Sequence, residues 1–184
     1  TTALAASLAE YGRRVLVIDF DPQSSLTVGL TGKQEIEPNV YHVVMGATKI
    51  RDVLVKTNAP GVDLVPSAID LSAAEGQLMN EVGREFVLQR AIADLRADYD
   101  YILIDCLPSL GILAINALVA SESIVIPLQC EFFAMKGISL LEQTLERIAV
   151  KIGHNVRIAG VLPTMYKSVG HHKEVLERVL AHYG

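Results

Sequence analysis

Cysteine is scarce in this chain: Cys106 and Cys130 are the whole complement of 184 residues, and they form no CxxC pair. With no secretory leader either, a disulfide framework is excluded, and the expectation is two reduced, buried thiols in a cytoplasmic protein. No apolar run approaches the roughly 20 residues of a membrane helix, so a soluble protein is expected. Positive charge does not dominate, since 16 Lys and Arg stand against 21 Asp and Glu for a net charge of −5. A surface that is basic all over is thereby excluded, and any contact with nucleic acid has to come from a local patch or from a segment outside the chain. There is no internal repeat, low-complexity tract or polar linker, which predicts one domain over residues 1–184. There is also no initiating methionine. Thr1 leads straight into TTALAASLAEYG, which reads as a helix already under way and predicts a start cut short of the native one. The last helix runs to the final residue, so a cut C-terminus is entertained as well.

Hydrophobic residues make up 51% of the chain against 20% charged, a balance that rules out a disordered tail. Short β-branched apolar runs alternate with longer stretches of helical period, the pattern of βαβ units. The fold class that follows is α/β, a doubly wound, mainly parallel sheet flanked by helices. Five strands are predicted at Val15–Asp19, Val62–Pro66, Tyr101–Asp105, Ser123–Pro127 and Val156–Leu162, each nearly continuously apolar, as strands buried on both faces are. Helices are predicted near Thr1–Tyr11, with Gly12 as the stop, near Ser72–Ala97, with Ser72 as N-cap and Glu75 three residues on, and near Leu113–Ala120, Ile138–Lys151 and His172–Tyr183. In the fourth, Ile138, Leu141, Leu145, Ile148 and Ile152 recur at i+3 or i+4 as one stripe, a core face or a dimer seam, with the amphipathic prior favouring core. Gly46 and Pro60 punctuate loops.

Ligands of open parallel sheets bind outside the carboxyl ends of the strands, and two predicted strands end in aspartate there, Asp19 and Asp105. Asp21 follows two positions after Asp19 and shares its side if the extended conformation persists. Two such carboxylates at about 4 Å repel by roughly 1 kcal/mol in water-like surroundings and about 4 kcal/mol at an effective dielectric of 20. A divalent cation relieves that repulsion. Mg²⁺ suits the arrangement because one or two carboxylates plus substrate phosphates usually hold it. Equally, all three aspartates can cap turns or helices, with Asp21-Pro22 an ordinary turn starter and Asp105 in a DCLPS turn ahead of a helix. Spacing alone leaves both readings open.

Four blocks in order resemble one family. RRVLVIDFDPQSSLTVGL at 13–30 looks like the segment after the deviant Walker A loop of ParA and Soj proteins. DYDYILIDCLPSLGILAINAL at 98–118 resembles their Walker B region, and IPLQCEFFAMKGISLLEQTLERI at 126–148 the segment after it. GVLPTMYKS at 160–168 matches a fourth block. The resemblance implies a deviant P-loop fold that dimerises around ATP with Mg²⁺, binds DNA without sequence preference and is stimulated by a ParB-type partner, in the cytoplasm on the nucleoid. By the same resemblance Asp21 orients the attacking water, Asp19 is the acidic residue beside the metal, and Asp105 is the Walker B aspartate holding a metal-bound water. Pro22 and Gln23 shape the same loop, and Thr164 and Tyr166 of the fourth block are cofactor-binding positions. Phosphoryl transfer needs mainly positioning and charge neutralisation, so a sparse set of groups suffices once a phosphate cradle exists.

The chain departs from the pattern at that cradle: the expected KGGxGK[ST] loop is nowhere in the 184 residues. An ungapped match of LAEYG places the metal-binding threonine a few residues before Thr1, so Thr1 and Thr2 are read as first-turn helix residues. The family's DNA contacts map to Lys167, Lys173 and Arg178, beside His171 and His172, although a charged face on a last helix is more commonly solvated. Adjacent His171 and His172 point apart on a helix and make a poor metal pair. The residues also admit three further readings. A MinD-like membrane switch needs an amphipathic C-terminal helix that the chain does not show, and no membrane partner is expected. An iron-protein cluster bridged by Cys106 and Cys130 is disfavoured because Cys106 directly follows Asp105. A scaffold module without nucleotide is the third.

Overall fold

The computed structural model of the chain describes residues 1–109, 111–129, 134–167 and 170–183, with the backbone alone described for Ala134, Met135, His171 and His182. It divides into two compact units, Thr1–Ala120 and Ser121–Gly184. Each is considered by itself.

In the first unit β1 (Val15–Phe20) is buried along its whole length. It pairs in parallel with β3 (Val62–Val65) on one side and β4 (Tyr101–Cys106) on the other. A two-residue strand β2 (Val55–Lys56) adds antiparallel to β3, giving the order β2-β3-β1-β4. Strand alternation divides the core between the two faces of this sheet. Val15 and Val17 pack with Ala5 of α1 (Thr2–Glu10) and with Leu26 and Leu30 of α2 (Ser25–Thr31). Leu16, Ile18 and Phe20 face the other way, against α3 (Val40–Val44), α4 (Leu71–Leu78), α5 (Val87–Ile92) and α6 (Ile112–Ala120). Each aliphatic side chain fully removed from water contributes about 1.5–3 kcal/mol, so β1 is the energetic centre of this unit.

The second unit holds β5 (Ser123–Gln129) and β6 (Arg157–Thr164), paired in parallel. Its helices are α7 (Ala134–Ile152) between the strands and α8 (Gly170–Tyr183) after them. Leu128, Ile138, Val175 and Val179 form its core. In the α7 stripe Ile138 and Ile148 are buried and Leu141, Leu145 and Ile152 half-buried. Tyr183 donates to Glu142 Oε1 at 2.6 Å, which ties α8 to α7.

The expected α/β class with a mainly parallel sheet flanked by helices is found, and all five expected strands are present within one or two residues of their limits. Among the described residues, the short helices α2 and α3, the 3-10 turn Ile50–Val53 and the strand β2 were not anticipated. The long helix expected over 72–97 is broken instead. The chain leaves α4 at Met79, Gly83 takes a left-handed φ of +68°, and α5 restarts at Val87. Val82, which a continuous helix would carry along, is 96% exposed. The break is held from outside by the buried side chain of Asn116 on α6, which donates to Arg84 C=O at 2.8 Å and accepts from Leu88 N–H at 3.1 Å. Ser72 is not the N-cap; Asp70 occupies that position, and the Ser72 hydroxyl donates to Ile69 C=O at 2.8 Å.

Candidate functional site

The connections from β1 lead to β3 on one side and, later, β4 on the other, so the sheet changes direction between β1 and β4. Open α/β sheets bind ligands at the carboxyl ends of strands at such a switch point. Asp19 and Asp105 are register partners there. Paired positions share a face, and this face is the one covered by α1 and α2, because Asp19 continues the alternation of Val15 and Val17.

The two carboxylates live in different surroundings. Asp19 is fully buried. Its Oδ2 accepts from the Thr27 hydroxyl at 2.6 Å and from the Thr27 backbone N–H at 2.8 Å, and its Oδ1 accepts from Asp21 N–H at 3.3 Å. Burial holds the Asp19 carboxyl above its ordinary value, and the Asp105 charge adds to this, while the donors from Thr27 and Asp21 pull it down. Asp105 is half-buried and accepts from the hydroxyl of Thr1. Thr2 is the first helical residue of α1 as expected, but Thr1 is its N-cap position, and its hydroxyl meets the strand-end aspartate. Sequence reasoning passed over Thr27 because a threonine inside SSLTVGL carries no periodic or capping signal.

Asp21 lies just past the end of β1. Its Oδ1 accepts from Gln23 N–H at 2.8 Å, its C=O accepts from Ser24 N–H at 2.9 Å, and Ser24 closes the turn with a φ of +51°. The ordinary turn starter is thus realised, with Pro22 buried and Gln23 exposed beside a half-exposed carboxylate. Among the described residues no group of three or more His, Cys, Asp and Glu side chains is arranged to hold a metal. A cation here would rely on one or two carboxylates with hydroxyl, water and phosphate oxygens. Cys106 has accessible surface, yet desolvation around its sulfur, together with the Asp105 and Asp21 charges, pushes the thiol up to about 11. Cys130 lies outside the described residues.

In the second unit Thr164 closes β6, again at a carboxyl end, opposite Gln129. Met165 follows with a φ of +51°. The turn is fastened by His172, buried on α8, whose Nδ1 accepts from Lys167 N–H at 3.0 Å and whose ring lies 6.0 Å from that of Tyr166. Lys167, Lys173 and Arg178 are exposed, and Arg178 is paired at 2.7 Å with Glu174. On α8 Glu174 and Glu177 balance Lys173 and Arg178, so the helix by itself is not a basic face. At the amino ends of the first unit's strands a cleft of ≈ 600 Å³ is lined by Arg13, Arg14, Lys56, Asp63 and Tyr99. Arg14 is paired with Asp100 and Lys56 with Asp63, and the cleft is at the wrong end of the sheet for the aspartates.

A family profile described as an AAA domain matches residues 1–158. An uncharacterised protein of Mycobacterium tuberculosis is 43% identical over 100% of this chain and 59% of its own length. The chromosome partitioning protein ParA of Caulobacter vibrioides is 40% identical over 100% of the chain and 71% of its own length. The sporulation initiation inhibitor protein Soj of Bacillus subtilis is 42% identical over 88% of the chain and 64% of its own length. The chain therefore spans between 59% and 71% of these relatives. A solved structure from Mycobacterium smegmatis, named cobyrinic acid a,c-diamide synthase with bound ATP analogue and magnesium, superposes with a TM-score of 0.91 at 38% identity, covering 99% of this chain and 75% of that one.

Proposed function

Since the chain belongs to the ParA/Soj type of partition ATPase within the MinD/ParA family, we propose that it is the nucleotide-switch part of an ATPase that partitions chromosomal or plasmid DNA. The observation that carries this reading is the register pair at the switch point, Asp19 with Asp105, each served by its own threonine hydroxyl. A pair of carboxylates on one face is costly unless a cation or a change of protonation compensates it, and a nucleotide with Mg²⁺ compensates it with chemistry the family uses.

The carboxylate of Asp105 is a hard oxygen donor of the type Mg²⁺ takes, and a single carboxylate leaves places for water and phosphate. Bound there, Mg²⁺ supplies neutralisation of the charge on the phosphate oxygens. Asp19, with three donors already on its carboxylate, acts from behind Asp105 by fixing the turn. Asp21 orients the attacking water through its carboxylate, which the Gln23 N–H holds in place. The water oxygen bonds to the γ-phosphorus, the bond from that phosphorus to the β–γ bridging oxygen breaks, and ADP leaves with the electron pair. The water's proton departs with inorganic phosphate. Thr164 and Tyr166, at the end of β6 in the second unit, are cofactor-binding positions by the family resemblance.

The finer reading follows the family: dimerisation on ATP, non-specific DNA binding through Lys167, Lys173 and Arg178, stimulation by a ParB-type partner, and residence in the cytoplasm on the nucleoid. The test is MgATP titration and phosphate release with the protein translated from its whole reading frame. Saturable binding with slow turnover, lost in Asp21→Ala while binding persists, supports the reading. Absence of binding overturns it in favour of a scaffold on the same fold.

A further inference from the structure

A carboxylate removed from water persists as a charge only when donors surround it. For Asp19 they come from two sequence positions, Asp21 N–H on one oxygen and Thr27 N–H and Oγ1 on the other. One carboxylate thus brackets the turn that carries Asp21, gripping it at both ends. The Thr27 hydroxyl has a second bond. It accepts from Ser67 N–H at 3.0 Å, in the loop between β3 and α4 and 40 residues further along. A hydroxyl has one proton to give and lone pairs to receive, so donating to Asp19 and accepting from Ser67 makes it a bridge between two loops at the same end of the sheet. Thr27 is itself fully buried, so bulk solvent does not reach either bond. Ser67 adds no tether through its own side chain: its hydroxyl is buried and, among the described residues, without a partner.

We infer that Thr27 is a positioning residue for hydrolysis: its single buried hydroxyl locks the Asp21 turn to β1 and to the β3–α4 loop, and so sets where the Asp21 carboxylate stands. The inference rests on the ATPase reading for its catalytic half, and on geometry alone for the lock. Replacing Thr27 by valine keeps its branching but removes the bridge, leaving Asp19 short of a donor and Ser67 N–H short of an acceptor. Replacing it by serine keeps the bridge. A small displacement of a group that orients the attacking water lowers turnover without touching the groups that hold the nucleotide.

The experiment compares Thr27→Val and Thr27→Ser in the protein from its whole reading frame, in two arms. The first measures amide hydrogen exchange without nucleotide. The lock predicts exchange at residues 21–27 and 67–71 faster by at least about tenfold in Thr27→Val, with Thr27→Ser like the parent. The second measures steady-state ATP hydrolysis, where kcat should fall about 10- to 100-fold in Thr27→Val with KM within about twofold, and Thr27→Ser should restore it. Equal behaviour of the two variants in either arm overturns the inference. So does a loss in Thr27→Val in which KM rises and kcat is kept. If the parent neither binds nor hydrolyses ATP, the ATPase reading and the catalytic half fail together, while the exchange arm still decides the lock.

Discussion

Asp19 and Asp105 stand as register partners on adjacent parallel strands, and each has a threonine hydroxyl of its own, from Thr27 and Thr1 respectively. The two like charges differ in access: Asp19 is sealed in the core, whereas Asp105 is half-buried. In the proposed function the more accessible partner serves the metal and the sealed one fixes the turn. Substitution of Asp105 should therefore separate chemistry from fold. Asp105→Asn is expected to lower Mg²⁺-dependent ATP hydrolysis by about 10²-fold or more, while the urea midpoint stays equal to the parent or rises slightly, because a like charge beside Asp19 is removed.

Asn116 is the counterpart in the scaffold. Its amide satisfies Leu88 N–H, Arg84 C=O and Ile112 C=O where the chain between α4 and α5 is broken. Asn116→Leu keeps the branched shape of the side chain and leaves buried backbone groups unpaired, so a loss of about 2–4 kcal/mol in unfolding free energy is expected by urea titration.

Tyr99 donates to Asp63 Oδ2 at 2.9 Å. Desolvation, followed by this bond and the Asp63 charge, pushes the phenol up from 10.0 to about 12. A folded-state value raised above the unfolded one stabilises fully below pH 10 and loses that stabilisation as pH rises towards 12. The parent should therefore lose more stability between pH 9 and pH 11.5 than Tyr99→Phe does, as measured by urea unfolding at both pH values.

Cys106 is accessible but has a thiol held up at about 11 instead of 9.0. The thiolate is the nucleophile, so a shift of this size leaves about 100-fold less of it at neutral pH. In a Cys130→Ser background, alkylation by iodoacetamide should be slow at pH 8 and accelerate through pH 11. Asp21→Ala should speed it at pH 8, since one of the charges opposing ionisation is gone.

Much of this was legible in the sequence. The runs VLVID and YILID read as buried parallel strands; β1 is buried throughout, whereas β4 is parallel but half-buried with exposed ends, and the aspartates within them are the ones at the switch point. The turn at DFDPQ was expected from Asp21-Pro22 and is formed. The single helix over 72–97 was not what the chain adopts. Its period continues through MNEVGREF, and what ends it is Gly83 in a left-handed conformation together with Asn116, a side chain 28 residues beyond Leu88. α2 and α3, of seven and five residues, are too short for periodicity to declare them.

By itself the sequence determined what depends on near neighbours: strand against helix, the alternation that sends Val15, Val17 and Asp19 to one face, and the turn after β1. Only the tertiary structure decided which hydroxyl meets which carboxylate. Thr1 reaches Asp105 across 104 residues and Thr27 reaches Ser67 across 40. Such pairings are set by how strands order themselves in the sheet and which helices cover each face, and a burial deep enough to make Asp19 depend on Thr27 exists only once those layers have closed over it.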